Sequence, residues 1–343
     1  MPPRPPSRAN STRSSASGVT NVAVSAATAA DAKADTGERT PRFRRGGRWR
    51  TTLTFWCFVA PFLIGLMVFT IIPVAWSAYL SFFDATNTVS PTPDDFVGFG
   101  NYTAMLTDPA FQDSLVTFSV FAAFIVPVTF ACSLGLALML NRVRVMRAFF
   151  RSVFFLPFAC SYVVAALVWK MSIFNGVRFG LANTILDLFG VDEIAWLFRP
   201  DPPWFWLVIV SLRLWIQVGF YMILFIAALQ QIPQHLYEAA YVDGAKPGPQ
   251  TFWHITLPQL RATSVAVLML ILIAAYQAFD EFLLLVGTMP SARPPLVYLY
   301  QTSLGMQQEL GMGSAGALIL ALLIALVTLL QGKFLGFGNS EDR

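Results

Sequence analysis

Residues 233–260 read PQHLYEAAYVDGAKPGPQTFWHITLPQL, a polar stretch between two long apolar runs. Residues 234–242 are tolerable helix formers and predict a short helix. Gly244 then permits a sharp turn because it has no Cβ, and the Pro-Gly-Pro sequence at 247–249 forbids an uninterrupted helix. A second short helix is predicted over residues 250–256. Two short helices around a glycine bend, held between membrane spans, form a shape that a partner protein could bind.

The composition around this stretch indicates a membrane protein. Hydrophobic residues make up 56% of the 343 and charged residues 12%, whereas soluble domains carry about 25% charged residues. Each of six apolar segments is long enough to cross about 30 Å of hydrocarbon. Because the backbone in lipid must satisfy its own hydrogen bonds, the segments are predicted to be helices. They are residues 53–80, 115–140, 149–171, 204–229, 263–287 and 313–330. The fold class is therefore an all-α polytopic membrane protein with six transmembrane helices.

The two ends of the chain differ from this membrane domain, which is assigned to residues 51–335. Residues 1–50 have few large apolar side chains and are predicted to form a disordered tail. Their arginines cluster next to the first span, which favours contact with anionic lipid over nucleic acid. The first apolar run begins too late and is too long for a cleaved signal peptide. Residues 336–343 are predicted to form a second, short tail.

The distribution of positive charge predicts the orientation of the spans, because cytoplasmic loops are enriched in Lys and Arg. The loop after the first span contains five Asp residues and neither Lys nor Arg. A larger group of basic residues flanks the other side of the membrane when six spans are counted: the tail arginines, Arg142, Arg144, Arg147, Arg151, Lys246, Arg261 and Lys333. Both termini and the 233–260 loop are thus predicted to be cytoplasmic.

Within that loop, Glu238-Ala239-Ala240, then Asp243-Gly244-Ala245, then Ile255-x-Leu257-Pro258 resembles the EAA loop of ABC importer permeases. An EAA triplet alone is weakly specific, whereas the extended pattern between two spans is much more specific. The resemblance implies a type I permease fold, in which this loop is a cytoplasmic coupling helix between the fourth and fifth spans and docks into a groove on the ATP-binding subunit. The alternative is an ordinary amphipathic loop at the headgroup level. The implied coupling residues are Glu238, Ala239, Ala240, Asp243, Gly244, Ala245, Ile255, Leu257 and Pro258.

The resemblance extends from about residue 55 to residue 330. FVGFGNY at 96–102 is similar to a vGxxNY segment that follows the first helix of sugar-type permeases, and Phe155-Leu156-Pro157 is similar to the start of their third helix. The match is best with the carbohydrate-uptake branch, which includes the maltose and glycerol-3-phosphate permeases, and with the first subunit of a heterodimeric pair, the MalF/UgpA type. One departure is VGTMP at 286–290, where the family commonly has Thr-x-Gly-Gly-Pro.

Polar side chains within the predicted spans are candidates for a solute pathway, because they are costly in lipid and commonly line a cavity. Arg213 and Gln217 lie one turn apart on the fourth span, and Tyr276 and Asp280 have the same spacing on the fifth. Aromatic faces suit sugar rings, while amides and carboxylates suit hydroxyl groups. The family resemblance implies that Phe158, Arg213, Trp215, Ile216, Gln217 and Phe220 lie at the cavity. The complete predicted pathway is Phe158, Ser161, Tyr162, Arg213, Trp215, Ile216, Gln217, Phe220, Tyr276, Gln277 and Asp280.

A structural role for the same residues is an open alternative. Arg213 could pair with Asp280 or Glu281, since an unpaired buried charge would be very costly. Trp215 and Tyr221 could serve helix packing.

Catalytic motifs are absent from the sequence. It contains no phosphate-binding P-loop, no His-Glu-x-x-His and no nucleophile elbow, and its two His and three Cys lack metal-ligand spacing. No catalytic residue, metal site or cofactor of this chain is therefore predicted. The resemblance implies that ATP and Mg²⁺ are bound by two separate ATPase subunits. It also implies a second permease subunit and an extracytoplasmic solute-binding protein.

The predicted function is that of a permease subunit of an ATP-driven importer for sugars, related polyols or sugar phosphates, in a bacterial or archaeal plasma membrane. An ABC permease for a non-sugar solute such as glycerol-3-phosphate is one alternative. An ion-gradient-driven secondary transporter is another, although the internal repeat typical of that class is not apparent.

Overall fold

The computed structural model describes residues 47–177, 180–197, 199, 201–246, 248–287, 289–306 and 308–335. The chain divides into two units, residues 1–67 and 68–343. The described part of the first unit is helix α1 (Gly47–Leu66), whose large apolar side chains are mostly exposed. A helix with apolar side chains all round needs an apolar environment, as in lipid. Helix α1 begins inside the predicted tail, and residues 1–46 and 336–343 lie outside the described residues.

The described part of the second unit is helical. It contains no β-strand, although two isolated β-bridges join Phe83 to Phe96 and Thr86 to Glu309. The helices are α2 (Ile72–Leu80), α3 (Gly100–Thr107), α4 (Pro109–Arg142), α5 (Arg147–Phe155), α6 (Tyr162–Val168), α7 (Leu181–Asp187), α8 (Phe205–Gln231), α9 (Gln234–Val242), α10 (Pro249–Gln259), α11 (Arg261–Tyr276), α12 (Asp280–Leu285), α13 (Pro295–Leu304) and α14 (Leu310–Leu335).

The segments that are long and apolar enough to cross a membrane agree with the predicted fold class. Two pairs of helices are bent at a short break: Arg147–Ala159 with Tyr162–Ile173 at 95°, and α10 with α11 at 73°. If each bent pair is one span, the total reaches six, as predicted. The continuous spans are Thr52–Leu80, Pro109–Arg142, Phe205–Gln231 and Leu310–Phe334.

The third predicted span, residues 149–171, is not the single helix that the apolar run indicated. Helix α5 is followed by a 3₁₀ turn at Leu156–Ala159, and Cys160 and Ser161 then have extended backbones before α6 begins. Pro157 contributes to the interruption, because proline lacks the N–H that would donate to the preceding turn of α5. Leu156 itself is still helical, and the backbone becomes extended three residues after the proline.

The fifth predicted span, residues 263–287, is also interrupted. Helix α11 ends at Tyr276 and α12 begins at Asp280. Tyr276 and Asp280 therefore do not share a face of one continuous helix, and this part of the prediction is wrong. Since α11 has 16 residues, it covers about 24 Å, and a complete crossing of about 30 Å needs the segment beyond the break.

The core lies between α4, which is 34 residues long, and α8. Phe118 and Ile125 of α4 and Met222 and Phe225 of α8 are buried there. Helix α8 also approaches α5 closely at Gly219, where an added Cβ would lie 1.8 Å from the carbonyl oxygen of Phe154. Glycine permits this approach of two backbones.

The segment after α2 is fastened by the asparagine and tyrosine of the FVGFGNY sequence. Asn101 Nδ2 donates hydrogen bonds to the carbonyls of Ser81 (3.0 Å) and Phe83 (2.8 Å). The hydroxyl of Tyr102 lies 2.7 Å from Ser81 Oγ. Gly98 has a φ of +56°, a left-handed conformation that glycine adopts readily. These contacts hold α3 against the end of α2.

Asp108 joins α13 to the start of α4. Its Oδ1 accepts a hydrogen bond from the backbone N–H of Ala110 at 2.8 Å and so caps α4. Its Oδ2 accepts from the hydroxyl of Tyr298 on α13. Burial, reinforced by this bond, raises the pKa of Tyr298 to about 12. The hydroxyl therefore remains a proton donor at neutral pH.

Candidate functional site: the 233–260 loop and a buried polar cluster

The first helix of the loop has the predicted bounds. Helix α9 follows Pro233, which is extended and precedes the first helical turn. Gly244 has a φ of +85°. Its N–H donates to the carbonyl of Tyr241 at 3.2 Å, and the N–H of Ala245 donates to that of Ala240 at 2.8 Å. This pair of bonds around a left-handed glycine is a Schellman motif, so α9 ends at a defined point.

The second loop helix, α10, is longer than the predicted 250–256 and contains a π-helical stretch at Phe252–Thr256. Thr251 Oγ1 accepts a hydrogen bond from the N–H of Gly248 at 3.2 Å and caps its start. The hydroxyls of Tyr237 on α9 and Thr256 on α10 lie 3.0 Å apart. The two loop helices are therefore joined directly as well as through the turn.

The predicted coupling residues are divided between the surface and the loop interior. The exposed ones are Glu238, Ala239, Asp243, Gly244 and Pro258, and the half-buried ones are Ala240, Ala245, Ile255 and Leu257.

Two large side chains on the surface of the loop were not singled out from the sequence. Val242 is 88% exposed and Trp253 is 62% exposed. The sequence did contain one signal for this exposure, because Val242 is an apolar residue at the end of a helix with mostly polar neighbours. Exposed apolar side chains on a protein surface commonly mark contact with a partner or a membrane.

A second group of predicted residues surrounds a buried ion pair. Arg213 of α8 is 1% exposed, and its Nη1 donates to Oε1 of Glu281 on α12, which is 3% exposed. Its Nη2 donates to the carbonyl of Ala274 on α11. Asp280, the other acidic candidate, is exposed. The sequence left open whether Arg213 pairs with Asp280 or Glu281. In the structure its partner is Glu281.

Unused hydrogen-bonding capacity remains beside this pair. Gln217 is buried one turn along α8, and Tyr162 of α6 lies close to it and to Arg213. Within the part of the chain that the structure describes, Gln217 Oε1 and Arg213 Nε have no hydrogen-bond partner. Buried polar atoms normally have one, so these atoms could be satisfied by water or by a polar solute.

Aromatic rings lie along the same two spans as the polar cluster of Tyr162, Arg213 and Gln217. Phe158 stacks on Phe220 of α8 with centroids 4.5 Å apart. Trp215, also on α8, contacts Trp169 at 5.0 Å. The indole N–H of Trp169, which was not among the predicted pathway residues, donates to Ser211 Oγ at 3.0 Å. Both Phe158 and Trp215 keep exposed faces.

The remaining predicted pathway residues are scattered. Ile216 is buried in the core, and Tyr276 is buried with its hydroxyl 3.3 Å from Ser119 Oγ on α4. Ser161 and Gln277 are exposed at the two helix breaks. The structure therefore brings Tyr162, Arg213 and Gln217 together, while solute contact by any of the eleven residues stays a prediction.

Comparison with known proteins places this architecture in a family. Residues 128–334 match the family model of the binding-protein-dependent transport system inner membrane component. SmoG, a sulfoquinovosyl glycerol transport system permease protein of Agrobacterium fabrum, is 33% identical over 79% of this chain and 86% of its own length. AraP, an arabinooligosaccharides transport system permease protein of Bacillus subtilis, is 33% identical over 83% of this chain and 89% of its own length.

The fold is similar to one in the crystal structure of a bacterial alginate ABC transporter in complex with an alginate pentasaccharide-bound periplasmic protein. The TM-score is 0.73 at 22% identity, and the match covers 84% of this chain and 96% of that chain. The family match spans more than half of the chain and agrees with the resemblance of the EAA segment. The chain therefore belongs to the family of binding-protein-dependent transport system inner membrane components, the multi-pass permease subunits of ABC importers.

Proposed function

We propose that this permease forms half of a translocation pathway for sugars or related polyols and sugar phosphates, and that it is driven by ATP hydrolysis through the 233–260 loop. The observation that carries the proposal is the loop itself. Helix α9 ends in a Schellman motif, is tied to α10, and presents Glu238, Ala239 and Val242 at its surface. A helix with a defined end and an exposed apolar side chain such as that of Val242 suits docking to another subunit.

The partners follow from the same proposal. Two ATPase subunits bind ATP and Mg²⁺, a second permease subunit completes the pathway, and an extracytoplasmic binding protein delivers the solute. Closure of the ATPase subunits would displace α9. The Tyr237–Thr256 contact passes this movement to α10, which leads directly into α11. Rigid-body movement of packed helices could then open a solute pathway beside Tyr162, Arg213 and Gln217 to each side of the membrane in turn.

The proposed orientation places both termini and the loop in the cytoplasm. It is supported by a cavity of about 810 Å³ beneath the loop, because residues from α4 and the loop line it together. These include Arg142, at the end of α4, and Tyr237, Phe252 and Thr256. The loop and the arginine-rich connection after α4 are thus at the same end of the second unit, as the distribution of positive charge requires.

The coupling role is tested by changing the bend of the loop without changing its charge. In Gly244→Val a β-branched residue would occupy a left-handed conformation, which costs roughly 1–2 kcal/mol. We expect uptake by the reconstituted transporter and its binding-protein-stimulated ATPase activity to fall together, with unchanged affinity for the binding protein. A second variant changes the charge instead of the bend. Glu238→Lys reverses a charge at the exposed face of α9 and should have the same effect by weakening the docking contact.

Gly244→Asn is the matched control, because asparagine tolerates the left-handed region and an added Cβ would meet no heavy atom within 4 Å. It should retain most of the uptake. Normal uptake in both Gly244→Val and Glu238→Lys would contradict the docking role. A purified complex that contains no ATPase subunit and hydrolyses no ATP would contradict the importer itself and favour a secondary transporter.

The sugar assignment is supported by the surroundings of Arg213. Its charge is neutralised by Glu281, so Arg213 by itself favours neither an anionic nor a neutral solute. Among the described residues, the buried side-chain carbonyl of Gln217 has no hydrogen-bond partner, and movement of the helices could present it to a solute hydroxyl group. The exposed ring of Phe158, which stacks on Phe220 of α8, suits the apolar face of a sugar. The relatives named for sulfoquinovosyl glycerol and for arabinooligosaccharides agree with this solute class.

Gln217→Ala should change solute preference, since it removes a hydrogen-bonding group beside the pathway. A lost hydrogen bond of about 1 kcal/mol corresponds to a roughly fivefold change in relative uptake between solutes. The measurement is uptake of a panel of mono-, di- and oligosaccharides and glycerol phosphates. Leu207→Ala, at an exposed position of the same helix, is the control and should leave the preference unchanged. An unaltered profile in Gln217→Ala would argue for a purely structural role.

A further inference from the structure

The interruption between α11 and α12 has no local cause in the sequence. The residues across it are Tyr-Gln-Ala-Phe-Asp-Glu at 276–281, without proline or glycine. Glutamine, alanine and glutamate are good helix formers, and tyrosine, phenylalanine and aspartate are weaker ones but do not break helices. The composition of the segment therefore gives no strong reason for the helix to stop. Sharp breaks in helices arise at proline, at glycine, at π-bulges, or where a side chain inserts into the ladder of backbone hydrogen bonds.

Here the inserted side chain is that of Arg213. In a continuous helix the carbonyl of Ala274 would accept from the N–H of Ala278. Instead, the N–H of Ala278 donates to Ala275 at 3.1 Å. The carbonyl of Ala274 accepts from Arg213 Nη2, and Nη1 of the same guanidinium binds Glu281 in the first turn of α12. One side chain therefore holds both sides of the break.

The chemistry of arginine suits this position. Its planar guanidinium carries five donors in a fixed geometry and can serve two acceptors at once. Arg213 and Glu281 are both buried, and the ion pair is therefore shielded from water. The carbonyl of Ala274 lies in the last turn of α11, where backbone acceptors lose their helical partners. The guanidinium thus supplies the carbonyl of Ala274 with the donor that the N–H of Ala278 would provide in a continuous helix.

We infer that Arg213 is a positioning residue that keeps the fifth span broken at residues 277–279, against the helical preference of that segment, and that joins α11 to α12 and α8. This inference rests on the proposed function. Helix α11 is the continuation of the 233–260 loop, whereas α12 packs on α6, which carries Tyr162. Movement that begins at the loop therefore reaches the polar cluster through the break between α11 and α12, and Arg213 holds the two sides of that break together.

The experiment uses Arg213→Met combined with Glu281→Leu in the complete transporter. Removing both charges together avoids a buried unpaired charge, and replacing a buried ion pair with apolar residues of similar volume is often tolerated. We expect the complex to assemble and cryo-electron microscopy to show a continuous helix through residues 277–279. Solute transported per ATP hydrolysed should fall about tenfold, within the usual range of coupling between sites, while affinity for the binding protein is unchanged.

Leu212→Met is the matched control. Leu212 is buried beside Arg213 on α8, and its substitution should leave both the break and the transport ratio as in the wild type. If the Met/Leu variant does not assemble, Arg213→Gln with Glu281→Gln supplies the same two readouts, because one amide cannot replace both guanidinium contacts. A variant of either kind that retains the break, or that transports normally per ATP, would overturn the inference. Failure of the wild-type permease to bind an ATPase subunit would instead overturn the proposed function and leave the structural readout valid.

Discussion

Gly219→Ala is expected to reduce the stability of the folded permease sharply. The new Cβ would lie 1.8 Å from the carbonyl oxygen of Phe154 and 2.7 Å from its carbonyl carbon. These are backbone atoms, so no side-chain rotation relieves the contact, and α5 and α8 must separate. Overpacking costs about 1–3 kcal/mol and occasionally more, and a collision between two backbones belongs at the upper end. Thermal unfolding of the purified protein, followed by size-exclusion chromatography, measures the loss.

Gly135→Ala in α4 provides the comparison. No heavy atom outside its own helix lies within 4 Å of the added Cβ, and alanine favours a helix over glycine by about 1 kcal/mol. This variant should be as stable as the wild type or slightly more stable. Equal stability of the two alanine variants would show that α5 and α8 do not approach each other as closely as described.

Arg213→Ala is expected to have a comparably large effect for a different reason. It leaves Glu281 buried without its ion-pair partner, a change that costs about 3–5 kcal/mol when a buried pair is broken from one side. The carbonyl of Ala274 loses its donor as well. We expect a low yield of assembled protein and a much lower unfolding temperature.

Two further measurements separate the possible roles of Arg213. Glu281→Ala should be similarly unstable, because it leaves the arginine charge unpaired, whereas the double substitution by Met and Leu should recover most of the stability. If Arg213→Ala instead assembles with normal stability and changes only the preferred solute, the role in solute contact that the sequence predicted is the correct one.

The parts of the fold that the sequence predicted depend on local signals. The apolar runs predicted where the spans lie, and the composition of residues 234–242 together with Gly244 predicted both ends of α9. Pro157 was a visible signal for the interruption of the third span, but the apolar run around it outweighed that signal in the prediction.

The break in the fifth span could not be predicted in the same way, because its cause lies 61 residues away at Arg213. The choice of Glu281 over Asp280 as the partner of Arg213 follows from that break, since the start of a new helix sets the direction of each acidic side chain. The exposure of Val242 and Trp253 depends on how α9 and α10 pack together, which no spacing in the sequence determines.

The length of α4 has a consequence for where the permease meets water. Its 34 residues extend about 51 Å, whereas the hydrocarbon layer is about 30 Å thick. Unless it is strongly inclined, the helix extends in total about 21 Å, or roughly four turns, beyond the hydrocarbon layer. Its first turns carry exposed Gln112 and Asp113, and α13 is fastened there through Asp108. Macromolecules that never enter the lipid could therefore reach this end of the molecule.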